Sequence, residues 1–137
     1  MSISQTLCSS FKQQLLNGVH NFSTDTFYMA LYTAEANLGA DTTEYTTDGE
    51  ATGTGYTAGG IEVTVNPTPT LSGTTAYISF DTAVYNASLT ARAALIYNVS
   101  QGDAAVLVLD FGSDKTSANF TVTFPTANAT SAILRIA

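Results

Sequence analysis

The chain has 137 residues, one Cys, only 11% charged residues and a net charge of −7. That length suits one domain with an ordinary core, a single thiol excludes an intrachain disulfide, and four scattered bases exclude the clustered basic face that nucleic-acid binding needs. No stretch is apolar over the roughly 18 residues of a membrane helix, and the acidic balance opposes anionic membrane surfaces.

One helix opens the chain. Leu7, Phe11 and Leu15 recur at helical spacing, with Cys8 and Leu16 on the same stripe, which predicts an amphipathic helix over residues 4–18. Ser4 is placed to cap it and Gly18 to end it. The N-terminal residues lack a basic stretch followed by an apolar one, so they do not read as a secretory signal.

From residue 26 the period becomes two. Phe27, Met29 and Leu31 alternate with Tyr28, Ala30 and Tyr32, and both sets are apolar, the pattern of a central strand. A long polar stretch follows, Asn37 to Gly60, and a loop of that length in a small domain is expected to make contacts or carry function. Ile61, Val63 and Val65 form the next strand, which Pro67 and Pro69 stop. Ser72-Gly73 turns the chain into Thr75–Phe80; Val84–Leu89 is a weaker strand and Ala91–Asn98 a strong one. Gln101-Gly102-Asp103 is a turn, and Ala104–Phe111, almost wholly apolar, is expected to be the most buried strand. Phe120–Phe124 and Ala132–Ile136 complete the set.

About eight short strands after one helix predict an all-β fold, an antiparallel β-sandwich or jelly-roll-like barrel. The expected organisation is one domain over residues 1–137, with the helix at 4–18, the sandwich over 26–136 and the long loop at 37–60.

Residues that could carry chemistry are few. His20, the sole histidine, lies at the presumed helix exit and reads as a polar residue at a helix end, not as the base of a catalytic triad. Cys8, on the apolar stripe, reads as a buried inert thiol, and one His with one Cys does not make a usual zinc site. Glu35, Asp41, Glu44, Asp48 and Glu50 crowd residues 35–50; their spacing does not match the twelve-residue calcium-binding loop, although oxygen ligands from a loop can still assemble around calcium in space. They read as a solvated acidic loop. Two of them could form a glycosidase pair, but Trp is absent and no sugar platform accompanies them. Gly53-Thr-Gly55-Tyr-Thr-Ala-Gly59-Gly60 lacks the Lys of a P-loop, so its glycines are expected to permit positive φ at tight bends. Asp110-Phe111-Gly112 spells a kinase triplet without the rest of that machinery. No catalytic, cofactor-binding or metal-binding residue is assigned, and no cofactor.

Several stretches together resemble a known class. They are Cys8 to Phe22 (C-S-S-F-K-Q-Q-L-L-N-G-V-H-N-F), Gly53 to Gly60 (G-T-G-Y-T-A-G-G) and Val108 to Thr116 (V-L-D-F-G-S-D-K-T), with Ala30–Thr33 and Ala91–Asn98 between them. In pattern and spacing, over nearly the whole chain, they resemble small structural proteins of tailed-bacteriophage virions. The resemblance implies a non-enzymatic virion component: a capsid cement or decoration protein first, a head-fibre or tail and neck component as the alternative. It implies partners among the major capsid protein and other virion proteins, and a location in the virion after synthesis in the host cytoplasm. A trimer or dimer is expected of such parts. The composition agrees, since Thr occurs 23 times and a surface with few charges has little to desolvate against a neighbour. A carbohydrate-binding module is the alternative outside the virion, kept open by seven Tyr.

Overall fold

The structure is a computed structural model describing residues 2–137. It is all-β, with antiparallel sheets and one α-helix. The strands are β1 (Thr6–Leu7), β2 (Phe27–Tyr32), β3 (Ile61–Val63), β4 (Thr70–Ser72), β5 (Thr75–Ile78), β6 (Ala83–Tyr85), β7 (Leu89–Asn98), β8 (Ala104–Ser117), β9 (Phe120–Val122) and β10 (Leu134–Ile136). The helix α1 is Ser9–Leu16. The strands form three sheets, of order β1-β8-β7-β2-β3, β10-β5-β4 and β6-β9.

The main sheet grows from the most apolar sequence. β7 and β8 pair as a long hairpin, from Asn98↔Ala104 to Leu89↔Ser117. Its connection ends in Gly102 and Asp103, both at positive φ (67° and 62°), a conformation that glycine and aspartate tolerate best. The first six residues of β8 are all buried and its remainder emerges into solvent. β2 pairs with β7 along its whole length, Phe27↔Asn98 to Tyr32↔Ala93. Its apolar character on both sides has a direct cause, because both faces of the sheet are covered. On the Phe27 face, Phe27 stacks on Phe22 at 4.7 Å, and Phe22 meets Phe11 of α1 at 6.0 Å. Phe80, just after β5, meets Phe27 on the same side at 6.3 Å. On the Tyr28 face, Tyr97 lies across from Tyr28 and is stacked by Tyr45 of the long segment at 4.9 Å.

Four expectations are corrected. Residues 4–18 are not one helix: Thr6 and Leu7 pair with Val108 and Leu107 of β8 as an edge strand, and only Ser9–Leu16 is helical. Closing the free edge of β8 there outweighs one more helical turn. Ser4 therefore caps nothing; its N–H donates to the Leu38 carbonyl, and Cys8 holds the N-cap position without a side-chain cap. Gly18, at φ +72°, does end the helix. Leu16 is not on the buried stripe but 91% exposed, whereas Cys8 and Phe11 are fully buried. The weak strand expected at 84–89 is divided: Ala83–Tyr85 pairs with β9, and Leu89 starts β7. Between them Ser88 bridges to Thr54 of the glycine-rich stretch. β4 was not anticipated; it pairs with β5 from Thr70↔Tyr77 to Ser72↔Thr75, across the turn at Ser72-Gly73.

Candidate functional site

The long segment 37–60 contains no named strand, yet it is fastened at many points. Thr33 N–H donates to the Gly49 carbonyl and Ala51 N–H to the Leu31 carbonyl, at 2.8 and 2.9 Å. This extends the outer edge of β2 where β3 has left it. Tyr45 N–H reaches the Asp103 carbonyl and Ala105 N–H the Thr43 carbonyl, both at 3.0 Å, which ties the segment to the start of β8.

Glu50 is the centre of the fastening. Its Oε1 accepts the Tyr45 hydroxyl at 2.6 Å; its Oε2 accepts the Tyr56 hydroxyl at 2.6 Å and the Gly59 N–H at 2.8 Å. The Tyr56 oxygen accepts Leu31 N–H at 3.0 Å, which carries the network into β2. Around it, Tyr32 donates to the Thr46 carbonyl, Tyr97 to the Gly59 carbonyl and Tyr85 to the Met29 carbonyl. Burial, and then the adjacent Glu50 carboxylate, push the Tyr45 and Tyr56 phenols well above the ordinary tyrosine value. Burial does the same to Tyr32, Tyr85 and Tyr97. All five phenols therefore stay protonated and act as donors. A carboxylate accepting three hydrogen bonds fastens together the groups that donate them. The reading of these acids as a solvated cluster is corrected for Glu50, which points into the protein, while Glu35, Asp41, Glu44 and Asp48 are exposed at the surface.

The glycines of this stretch do more than bend. Gly55, Gly59 and Gly60 have positive φ (92°, 99° and 82°) as expected. A Cβ on Gly53 would overlap the Ser88 carbonyl oxygen, one on Gly55 the Asn86 carbonyl oxygen and one on Gly60 the Met29 carbonyl oxygen. Here the backbone of the segment lies directly on the backbone of the domain.

A second cluster surrounds His20, which is buried and not merely a polar residue at a helix end. Its Nε2 meets Gln14 Oε1 at 2.8 Å and its Nδ1 meets Asn98 Nδ2 at 2.9 Å; Asn98 Nδ2 also donates to Asp25 Oδ2 at 2.9 Å. Burial lowers the pKa of His20, against the opposing pull of Asp25. Burial works against the charge of Asp25, but hydrogen bonds from Asn98 and from the Asn21 N–H outweigh it and leave its pKa lowered. Cys8 is fully buried, and burial pushes its thiol up to about 11, as an inert core thiol requires. Asp110 of the kinase-like triplet pairs with Arg92 Nε at 2.9 Å and accepts Gly112 N–H at 2.8 Å. It holds the excursion of β8 opposite Arg92, where the pairing jumps from Ala91↔Lys115 to Ala93↔Asp110.

Sequence reasoning missed Glu50, Asn98 and Asp25 as partners. The tyrosines flanking Glu50 at positions 45 and 56 were the only local sign; the other groups meet across 73 to 78 residues of chain. The exposed large apolar side chains among the described residues are Leu16, Leu71, Val84, Val99 and Ile136. Among the described residues, no three His, Cys, Asp or Glu side chains converge as a metal-binding group. No helix among the described residues is long and apolar enough to cross a membrane. No family model, no curated protein and no solved structure matches this chain.

Proposed function

We propose that this chain is a non-enzymatic structural protein of a tailed-phage virion, a capsid cement or decoration protein that stabilises the head through protein–protein contacts. The observation that carries the reading is the fastened 37–60 segment. An irregular stretch of that length is held by a carboxylate, four tyrosines and close-packed glycines. A surface ordered before binding loses little entropy when a partner docks. The low charge of the whole chain suits protein–protein contact, since interface centres are depleted in charged residues, while the segment itself keeps three exposed acids, Asp41, Glu44 and Asp48. The resemblance of the 8–22, 53–60 and 108–116 stretches to virion proteins supplies the phage setting, and with it the expectation of a trimer or dimer.

The test is binding of the purified chain to assembled capsids and, separately, to unassembled capsid subunits. A cement protein binds the shell and leaves the free subunits alone; equal binding to both counts against the role. Antibody labelling of whole particles then separates a head protein, with signal over the shell, from a tail or neck component, with signal at one vertex.

A further inference from the structure

The groups around His20 form a chain with one direction. Asp25 is an acceptor when ionised, and its Oδ2 also receives the Asn21 N–H at 3.0 Å. It therefore orients the Asn98 amide with Nδ2 towards itself. That amide nitrogen spends its other hydrogen on His20 Nδ1, which must be the unprotonated ring nitrogen. The ring proton is then on Nε2 and is donated to Gln14 Oε1. Asn98 is fully buried, and its Oδ1 has no partner. A buried orphan acceptor is costly, and the amide orientation that would relieve it turns Oδ1 against the Asp25 carboxylate.

We propose that Asp25, Asn98, His20 and Gln14 form a pH-sensitive latch, which holds the end of α1 and the turn of residues 18–25 against β7 while His20 is neutral and loosens them when His20 takes up a proton. A second proton on the ring puts an N–H on Nδ1, facing the Asn98 N–H₂. Two donors then oppose each other. Rotating the amide presents Oδ1 to the ring but sets it against Asp25, so either arrangement loses a bond that the neutral state makes. The latch joins one continuous stretch, from Gln14 in α1 to His20 and Asp25 in the turn, to Asn98 at the end of β7, which lies 73 to 78 residues away from Asp25 and His20 in the chain.

The other groups facing the ring leave this chemistry intact. α1 presents the Phe11 ring, at 4.9 Å, besides Gln14. The groove that His20 lines is completed by Tyr77 and Ile78 of β5 and by Leu134 and Ile136 of β10. Lys12 of α1 and Arg135 of β10 are exposed. Asp25 is the one anionic group acting on the ring, and burial outweighs it. The folded chain thus binds the proton less readily than the unfolded chain, whose histidine titrates near 6.5. The contribution of His20 to stability is complete above that pH, declines as pH falls below it, and is gone below the lowered folded value. For one proton the folded-to-unfolded ratio falls by at most about tenfold per pH unit in that window. The inference is independent of the virion reading.

The test is a nitrogen NMR titration of the full chain from pH 8 to pH 4.5, in which His20 is the only imidazole. The expected result is an Nε2–H tautomer at neutral pH, titration below 6.5, and amide shifts from Gln14 to Asp25 with the same midpoint. An Nδ1–H tautomer, a midpoint at or above 6.5, or ring titration without those amide shifts overturns the latch. As a second measurement, urea unfolding at pH 7 and pH 5 compares the native chain with His20→Gln. The native chain is expected to lose several-fold more of its folded-to-unfolded ratio between the two pH values; equal losses overturn the proposal.

Discussion

Gly60 and Gly73 carry the same local signature and have different reasons for being glycine. Both have positive φ, 82° and 57°. A Cβ on Gly60 would collide with the Met29 carbonyl oxygen, whereas one on Gly73 would meet nothing within 4 Å. Gly73→Ala should therefore cost only the backbone strain, about 1 kcal/mol, and Gly60→Ala should cost at least about 2 kcal/mol more through displaced backbone. Urea unfolding of the two variants checks the difference; equal costs would mean that the 53–60 stretch is not seated on β2. Glu50 makes the same point with a side chain. Glu50→Ala removes the acceptor of two hydroxyls and one N–H. Hydrogen bonds to a charged acceptor contribute about 1.5–3 kcal/mol each, and water replaces part of this at a half-buried site. The expected loss is about 2 kcal/mol, with faster proteolytic cutting within 37–60 than elsewhere. Neither role was legible locally, because spacing shows that a glycine bends the chain, not what lies over it.

At the scale of elements, the sequence pattern located the segments better than it described them. The apolar stripe of α1 correctly marked Cys8 and Phe11 as core, but it also included Leu7, which belongs to β1, and Leu16, which faces solvent. In eight helical residues a stripe of that width cannot be aimed without knowing what the helix meets. Phe11→Ala is expected to cost about 3–5 kcal/mol and Leu16→Ala less than about 0.5 kcal/mol, measured by thermal or urea unfolding. A large loss at Leu16 in the isolated chain would contradict its exposure. The strands show the same division. β2, β7 and the first half of β8 were legible because burial on both faces makes them continuously apolar. β1 and β4 were not, being two and three residues long and defined by their partners.

For the whole molecule, stability is concentrated in the main sheet. β2, β7 and β8 share two ladders, and most residues of β2, of β7 and of the first six positions of β8 are buried, whereas β4 and β10 are short outer strands with Leu71 and Ile136 exposed. Native-state hydrogen exchange should show the slowest amides in residues 28–32, 93–97 and 105–109, and much faster exchange in β4, β10 and the 126–131 stretch. Uniform protection across all three sheets would contradict this division. Such a plan suits the proposed role: a well-packed sheet carries a fastened segment on one face and α1 on the other.

The sequence by itself determined the all-β class, the central strands, the turn at Gly102-Asp103 and the burial of Cys8, because each follows from local periodicity, from glycine or from apolar content. Tertiary structure alone decided the division into three sheets, the edge strand that shortens the helix, and the inward turn of Glu50. It also decided the meeting of His20 with Asn98 and Asp25. The physical reason is common to all of these. A polar side chain or a short strand takes its role from the group that satisfies its hydrogen bonds. For Asn98 and β1 those groups lie far away in the chain. For Glu50 they lie within nine residues but are brought together by the folding of the segment onto β2.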